Sequence, residues 1–173
     1  MKNLAEGLPR ANFGNLEIER IVVEPVEIAY LRTTSAAAPG AVSEALGDSY
    51  FEILKFMDEQ GLEDAGAPLA IIRTHTGSEL IFDAAIPVRG VVESTPKDGA
   101  TVKLGFTYQG PVLRVRHVGS YRALGETHRK IAAYLAAYGV ARNGPAWESY
   151  VGDPGSVAEA DLMTLVYYPI SLE

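Results

Sequence analysis

The stretch Gly139–Pro145 reads GVARNGP, and a similar stretch, GLEDAGAP, stands at Gly61–Pro68. Each follows an amphipathic segment and begins with glycine, which tolerates the left-handed conformation just past a helix end. A second pair of similar segments follows, FDAAIPV at Phe82–Val88 and LVYYPI at Leu165–Ile170. This repeated order of helix stop, Gly–Pro turn and strand ending in proline predicts an internal duplication.

The first half is predicted to begin with a β-rich stretch at Glu19–Thr34. Ser49 and Glu52 have the spacing of a capping box, in which each side chain bonds the other residue's free backbone N–H, so a helix is predicted to begin there. Two strands are predicted next, at Leu69–Thr74 and Glu79–Val88. The apolar face of the helix is predicted to comprise Phe51, Ile53, Leu54, Phe56 and Met57.

The second half is predicted to repeat these elements. Lys103–Val118 is β-rich, and Tyr121–Tyr138 is predicted to be a helix with His128 on its apolar face. Strands are predicted at Ala146–Val151 and Leu162–Ile170. The expected fold is therefore α+β, built from two β-α-β-β modules. Modules placed side by side would leave a groove along a pseudo-twofold seam, and such interfaces are common places for ligands.

A chain of 173 residues has the length of one domain. Residues 1–16 mix glycine, proline and asparagine without periodicity and are predicted to be a tail or a loosely docked arm. Residues 17–173 are predicted to form a single domain, with one half at about 17–98 and the other at about 99–173.

The composition, 47% hydrophobic and 21% charged, is that of an ordinary globular protein. The net charge is −7 and basic residues are scattered, so nucleic acid is not expected as a direct partner. No segment approaches the roughly 20 apolar residues of a membrane span, and no signal-peptide core is present. A cytoplasmic location without membrane association is therefore expected.

The chain has no cysteine, which excludes disulfides, thiolate metal sites and cysteine nucleophiles. The three histidines, His75, His117 and His128, lack the spacing of metal ligands, so no metal site is expected. A nucleophile elbow, a P-loop and a dinucleotide-binding glycine motif are also missing. No cofactor is expected.

Several motifs of the second half occur in a characteristic order. His117–Leu124 reads HVGSYRAL, Gly144–Tyr150 reads GPAWESY, and Asp153–Pro154 precedes Tyr168–Ile170, YPI. In order and spacing these motifs resemble the GyrI-like effector-binding domain family, which includes ligand domains of multidrug-responsive transcription regulators and free-standing proteins. The first half matches more loosely, through Ala29–Arg32 and the later strand, and the resemblance extends from about residue 17 to the end of the chain.

The resemblance implies two repeated β-α-β-β modules with a central pocket for amphipathic, often cationic, organic molecules. It also implies a buried glutamate in that pocket, which maps onto Glu148. Free-standing members include binding proteins, hydrolases that open cyclopropane-bearing toxic natural products, and inhibitors that block an enzyme surface. The SOUL-type haem-binding proteins share this fold class. Unlike the regulators, this chain is expected to have no DNA-binding segment.

Side chains alternate between the two faces of a strand, so Glu148 and Tyr150 are predicted to share one face while Trp147 occupies the other. Spacing alone leaves open whether Glu148 faces water, pairs with an arginine or lies in a pocket, and the resemblance favours the pocket. There Glu148 would be a counter-ion for a cationic ligand. In an enzyme, it would act as general base with Tyr150 as its catalytic partner.

Aromatic rings that face a pocket stabilise bound cations, and the chain has nine tyrosines. Tyr30, Tyr108 and Tyr168 lie on predicted strands and are candidates for lining the groove, although a tyrosine taken singly is more often a core or surface residue than a ligand contact. Trp147 is interpreted first as packing and second as a pocket rim. His117, at the end of a predicted strand, is a further candidate for the pocket or for proton transfer.

Three functions remain open from the sequence. The first is binding of amphipathic or cationic small molecules for sequestration, sensing or detoxification. The second is hydrolysis of a cyclopropane-bearing natural product, with Glu148 orienting or activating water and a tyrosine assisting. The third is inhibition of another protein by surface binding. A protein partner or a homodimer is compatible with each of them.

Overall fold

The computed structural model describes residues 16–90 and 101–172. Helices and antiparallel strand pairs make up these residues, which confirms the predicted α+β class. Apart from residue 16, the arm predicted at 1–16 lies outside them. Within the described ranges, no helix is both long enough and apolar enough to cross a membrane.

Nine strands, two α-helices and two short 3₁₀ helices are found in the described residues. The 3₁₀ helices are Tyr121–Ala123 and Glu159–Asp161. In chain order the other elements are β1 (Glu17–Val23), β2 (Glu27–Ala36), α1 (Pro39–Gln60), β3 (Glu63–Asp64), β4 (Leu69–His75), β5 (Glu79–Arg89), β6 (Lys103–Phe106), β7 (Gly110–Val118), α2 (Leu124–Ala137), β8 (Trp147–Tyr150) and β9 (Met163–Pro169).

The chain divides into two compact units. The central unit is Pro25–Thr107, and the terminal unit combines Met1–Glu24 with Tyr108–Glu173. In the central unit the strand order is β4-β5-β2-β6, and the short β3 also pairs with β5. In the terminal unit the order is β8-β9-β7-β1.

Each unit packs one helix on one face of its sheet. In the central unit the buried side chains of this interface come from α1 (Ile53, Phe56, Met57) and from β2 and β5 (Ala29, Phe82, Ala84, Ile86). In the terminal unit they come from α2 (Leu124, Ile131, Tyr134, Leu135) and from β7 and β9 (Leu113, Val115, Val166, Tyr168). Burial of these apolar surfaces is the main stabilising contribution to each unit.

The two units repeat one topology, β2-α1-β4-β5 in one and β7-α2-β8-β9 in the other. The helix stops are equivalent too, because Gly61 and Gly139 have φ of 69° and 61°. The backbone N–H groups that follow them donate to carbonyls five residues back, from Leu62 to Met57 and from Val140 to Leu135. The repeated punctuation of the sequence thus corresponds to repeated helix ends.

The fourth strand of each unit comes from the other half of the sequence. β1 precedes β2 in the chain but pairs with β7 of the terminal unit. β6 precedes β7 but pairs with β2 of the central unit. The sequence halves at about 17–98 and 99–173 therefore differ from the compact units by an exchange of edge strands: β1 belongs to the terminal unit and β6 to the central unit.

The predicted start of the first helix is wrong. α1 begins at Pro39, where the fixed φ of proline suits a first turn, ten residues before Ser49. Ser49 is a buried mid-helix residue whose hydroxyl donates to the carbonyl of Ala45 at 2.7 Å. The predicted apolar face is also wrong at Phe51 and Leu54, which are 69% and 49% exposed. The longer helix turns Ser49, Ile53, Phe56 and Met57 inward instead.

Asp83 of β5 is a fully buried carboxylate held by two arginines. Arg32 Nε and Arg73 Nε donate to its two oxygens at 2.8 and 2.7 Å. Burial would raise the pKa of Asp83, but the hydrogen bonds and charges of Arg32 and Arg73 outweigh it and hold the pKa below the ordinary 3.8. Asp83 therefore stabilises the central unit while it is ionised.

We expect Asp83→Asn to lower the free energy of unfolding at neutral pH by about 1–3 kcal/mol, because two arginines lose a charged acceptor. Since the folded state lowers the pKa, this contribution is complete above pH 3.8 and is lost as the pH falls below it. Urea denaturation of both proteins between pH 2 and pH 7 measures the difference, which should shrink in acid.

The matched control is Glu63→Gln, which removes the exposed ion pair between Glu63 and Arg89, whose side chains are 72% and 70% exposed. It should change stability by less than about 0.5 kcal/mol. Equal effects of the two substitutions would contradict the assigned role of Asp83.

Candidate functional site

Glu148 lies on the face of the terminal sheet that packs against α2. Its cross-strand neighbour in β9 is Val166, which is fully buried in the core beneath that helix. Directly paired residues of neighbouring strands point to the same face, so the side chain of Glu148 faces α2 as well. On the helix, His128 lies opposite Glu148, and the two side chains meet.

Four side chains form a chain of hydrogen bonds, which we call the Glu148 network. The hydroxyl of Tyr150 donates to Glu148 Oε2 at 3.2 Å. His128 Nε2 lies 3.1 Å from Glu148 Oε1, and His128 Nδ1 lies 2.5 Å from the hydroxyl of Tyr168. Helix α2 and strands β8 and β9 thus each contribute to one polar cluster inside an otherwise apolar interface.

The state of Tyr168 fixes how protons are arranged in this network. Burial is the main cause that raises its pKa to about 12; Glu148 adds to the rise and Arg142 opposes it. Tyr168 is therefore a phenol at neutral pH and can donate to Nδ1 of a neutral His128. His128 then carries its proton on Nε2 and donates it to Glu148.

Glu148 is largely buried, yet part of it remains accessible. Its side chain is 12% exposed and that of His128 is 19% exposed. Within the described residues, no lysine or arginine forms an ion pair with Glu148; its one possible ion-pair partner there is His128. The alternative that Glu148 pairs with an arginine is therefore wrong for this part of the chain. Among the described residues, the carboxylate is thus hydrogen-bonded by a tyrosine and a histidine and has no arginine or lysine as ion-pair partner.

A fifth side chain, that of Tyr121, borders the network. Its ring meets the ring of Tyr150 edge to face, with centroids 5.4 Å apart. Burial first, and then the negative charges of Asp153 and Glu148, raise the pKa of Tyr121, which keeps it neutral. The Glu148 network is therefore flanked by the rings of Tyr121 and Tyr150 at one end and by the ring of Tyr168 at the other.

The predicted site residues Trp147 and Tyr108 lie on the opposite face of this sheet. Trp147 stacks on Tyr167 with centroids 4.7 Å apart and ring planes 7° apart, and Tyr108 lies 6.2 Å from Trp147. Trp147 and Glu148 therefore lie on opposite faces, as strand alternation predicts. These rings form a separate aromatic cluster rather than a wall around Glu148.

His117 and Tyr30 have other surroundings. His117 is buried, and its two ring nitrogens engage the hydroxyl of Thr127 at 2.8 Å and the carbonyl of Ser120 at 2.9 Å. Both nitrogens are thus used in fastening β7 to the start of α2. Tyr30 belongs to the central unit, where its ring lies against Gly105 of β6. A pocket role for either residue stays a prediction.

Sequence reasoning missed the part played by His128, which it treated as a core or boundary residue, and it passed over Tyr121. Helical periodicity alone cannot separate a histidine that packs from one that bonds a buried acid. The duplication offers a signal, because equivalent glycine stops align His128 with Tyr50, and equivalent strand registers align Glu148 with Ala70. A histidine and a glutamate that replace a tyrosine and an alanine in one half only are unusual substitutions for a packed interface.

The same alignment separates the site from the fold. In the central unit Tyr50 donates its hydroxyl to the carbonyl of Leu69, and Ala70 is buried. This helix–sheet interface therefore forms without a carboxylate, and the Glu148 network is not required by the topology. Across the described residues, no group of three or more His, Cys, Asp or Glu side chains could hold a metal ion.

No family model and no curated protein matches the sequence. Among solved structures, EcmrR in its DNA complex is similar with a TM-score of 0.76 and 12% identity, over 90% of this chain and 57% of that one. This chain thus spans little more than half of EcmrR. The EcmrR C-terminal domain alone is similar with a TM-score of 0.71 and 12% identity, over 91% of this chain and 98% of that domain.

Two further likenesses cover nearly the whole of the other chain. A hydrolase encoded by lin2189 from Listeria innocua has a TM-score of 0.59 and 15% identity, with 90% of this chain and 92% of that one covered. SAV2435 bound to tetraphenylphosphonium has a TM-score of 0.60 and 10% identity, with 90% and 94% covered. At such identities these likenesses show one thing: the chain shares the fold of these proteins.

Proposed function

We propose that this protein binds amphipathic organic cations at the Glu148 network and that it is a member of the GyrI-like family. The observation that carries the proposal is the state of Glu148. Its side chain is only 12% exposed, and its carboxylate is hydrogen-bonded by His128 and Tyr150. Within the described part of the chain, no lysine or arginine forms an ion pair with it.

A carboxylate in such surroundings favours a cation for two reasons. Its charge is poorly screened because little water reaches it, so its attraction for a positive group is stronger than at the surface. The bonds from Tyr150 and His128 already fix its position, which lowers the ordering cost of binding. Nearby tyrosine rings add cation–π contacts of about 0.5–2 kcal/mol each, depending on desolvation.

The same surroundings select the chemistry of the ligand. The surroundings of Glu148 are aromatic, with Tyr150 packed edge to face on Tyr121, which suits a bulky cation whose charge is spread over apolar groups more than a compact ammonium ion. His128 also limits the space for the ligand, because its Nε2 lies 3.1 Å from Glu148 Oε1 and occupies one side of the carboxylate.

Tetraphenylphosphonium is a suitable first probe. It is the molecule bound to SAV2435, whose fold this chain shares. It also has the properties that the Glu148 network favours, namely one delocalised positive charge and four aromatic rings.

We expect Glu148→Gln to weaken tetraphenylphosphonium binding at least about tenfold, because the amide keeps the shape of the carboxylate but lacks its charge. Isothermal titration calorimetry at neutral pH measures the affinity. Glu126→Gln is the matched control, since Glu126 lies on α2 but is 64% exposed and pairs with Lys130. Absence of binding by the natural protein, or equal affinities of Glu148→Gln and Glu126→Gln, would refute the proposal.

Hydrolysis is the second candidate function, and the linked tyrosine and histidine bonds favour it. In a strained, conjugated cyclopropane, Glu148 would accept a proton from water while the water oxygen bonds to a ring carbon. The breaking C–C bond would leave its electron pair on the conjugated group, and Tyr150 would protonate it. Glu148 would then return the proton to Tyr150, so that the net change is addition of one water.

We expect a cyclopropane-bearing alkylating natural product to gain the mass of one water on incubation with the protein, measured by mass spectrometry. Tyr150→Phe should slow this conversion by about a hundredfold, because it removes the proton donor. Tyr167→Phe, on the opposite face of the sheet, should convert substrate at the natural rate. Substrate left unchanged by many equivalents of protein would eliminate the hydrolase function and leave the binding function standing.

A further inference from the structure

A second concave surface lies in the central unit and has the opposite electrostatic character. It is a cavity of about 380 Å³ lined by Tyr30, Leu31, Arg32, Thr101 and Lys103. We call it the Arg32 cavity. Of these five described lining residues, two are cationic and none is acidic, in a protein whose net charge is −7.

Strand pairing places the polar lining on one face of the central sheet. Tyr30 pairs with Lys103 of β6, and Arg32 pairs with Asp83 of β5. Phe82 and Ala84, on either side of Asp83, face α1, so Asp83 faces away from the helix. Because paired residues share a face, Tyr30, Arg32 and Lys103 also lie on the face opposite the helix. The arrangement therefore follows from register and not from a loop.

Arg32 is held in place before any ligand arrives. Its Nε and Nη2 donate to the two oxygens of Asp83 at 2.8 and 3.2 Å, while its side chain remains 59% exposed. These bonds leave Nη1 outside the pairing, and the guanidinium cannot rotate freely because Asp83 is buried. A fixed, accessible guanidinium loses little conformational entropy when it binds an anion.

The charges around Asp83 do not balance. Arg32, Arg73 and Lys103 carry three positive charges, and Asp83 carries the one negative charge that the described structure pairs with any of them. Lys103 is exposed and forms no ion pair with a described residue. The surface thus has a local excess of positive charge beside a cavity, which favours an anionic ligand.

Tyr30 adds an apolar component to this surface. Its ring lies over the backbone of Gly105, where a Cβ atom would come within 3.0 Å of the ring. The ring is thereby held next to the cationic groups and is only half-buried. A flat aromatic wall beside two cations suits a ligand that has a ring and a negative charge on the same molecule.

We infer that the Arg32 cavity is a binding site for small aromatic anions, such as aryl phosphates or aryl carboxylates, and that it is separate from the cation site proposed at Glu148. The anion would bond Arg32 Nη1 and the Lys103 ammonium, with Thr101 as a further hydroxyl donor. The aromatic ring would pack on Tyr30. A volume of about 380 Å³ accommodates a ligand of one or two rings.

The test is titration of the full chain with phenyl phosphate, followed by isothermal titration calorimetry and by NMR. Phenyl phosphate should bind more tightly than inorganic phosphate, which lacks the ring, and benzyl alcohol, which lacks the charge, should not bind. Titration with benzoate tests whether the site accepts aryl carboxylates as well as aryl phosphates. Affinity should fall as salt is added, because the site is partly exposed.

Lys103→Gln should weaken phenyl phosphate binding by about fivefold or more, and Tyr30→Leu should remove the preference over inorganic phosphate. Lys55→Gln is the matched control, because Lys55 is an exposed lysine of the same unit but lies on α1. Glu148→Gln should bind phenyl phosphate like the natural protein, so loss of the cation site leaves this result unchanged. The inference is overturned if phenyl phosphate does not bind, or if Lys103→Gln and Lys55→Gln bind it equally.

Discussion

The pairing of β8 with β9 controls the chemistry of the terminal unit. Glu148 lies opposite Val166 and Tyr150 lies opposite Thr164, so both side chains face α2 and can reach one another. Side chains alternate strictly along a strand, and a slip of one residue would turn Glu148 away from His128 and bring Trp147 into the helix interface. On the other face, Trp147 stacks on Tyr167, and this contact stabilises the observed register because a slip of one residue would break it. The aromatic cluster and the Glu148 network therefore stabilise each other's position.

The two units share one frame but differ in where they hold charge. The central unit buries Asp83 on the face opposite its helix and pairs it with Arg32 and Arg73. The terminal unit holds Glu148 on the helix side, with a histidine as its one described ion-pair partner. Paired arginines stabilise the ionised form of Asp83, whereas Glu148 is hydrogen-bonded by Tyr150 and His128. The first arrangement suits a structural role, and the second suits a site.

The order of elements and the strand faces could be predicted from the sequence, because glycine stops and alternation of side chains are local properties. The start of α1 could not, since Ser49 and Glu52 satisfy a capping pattern that a longer helix overrides, while Ser49 is bonded inside that helix instead. The exchange of β1 and β6 was also beyond reach, because edge strands with similar patterns fit either sheet. His128 was missed for a related reason: its role depends on Glu148, 20 residues away in the chain. Contacts between distant residues require the tertiary fold.

The exchanged edge strands have a consequence for how the chain folds as it is synthesised. Arg114 of β7 donates to Glu19 of β1, 95 residues earlier in the chain, so β1 is made long before the strand with which it pairs. The central unit, by contrast, is one continuous stretch and has all of its strands once β6 emerges. Closure of a long loop is slow, so the central unit should form first. The terminal unit should form later, when the segments before and after the central unit pair with each other. Until β7 has been made, β1 lacks its strand partner, and an unpaired strand is vulnerable to aggregation or proteolysis.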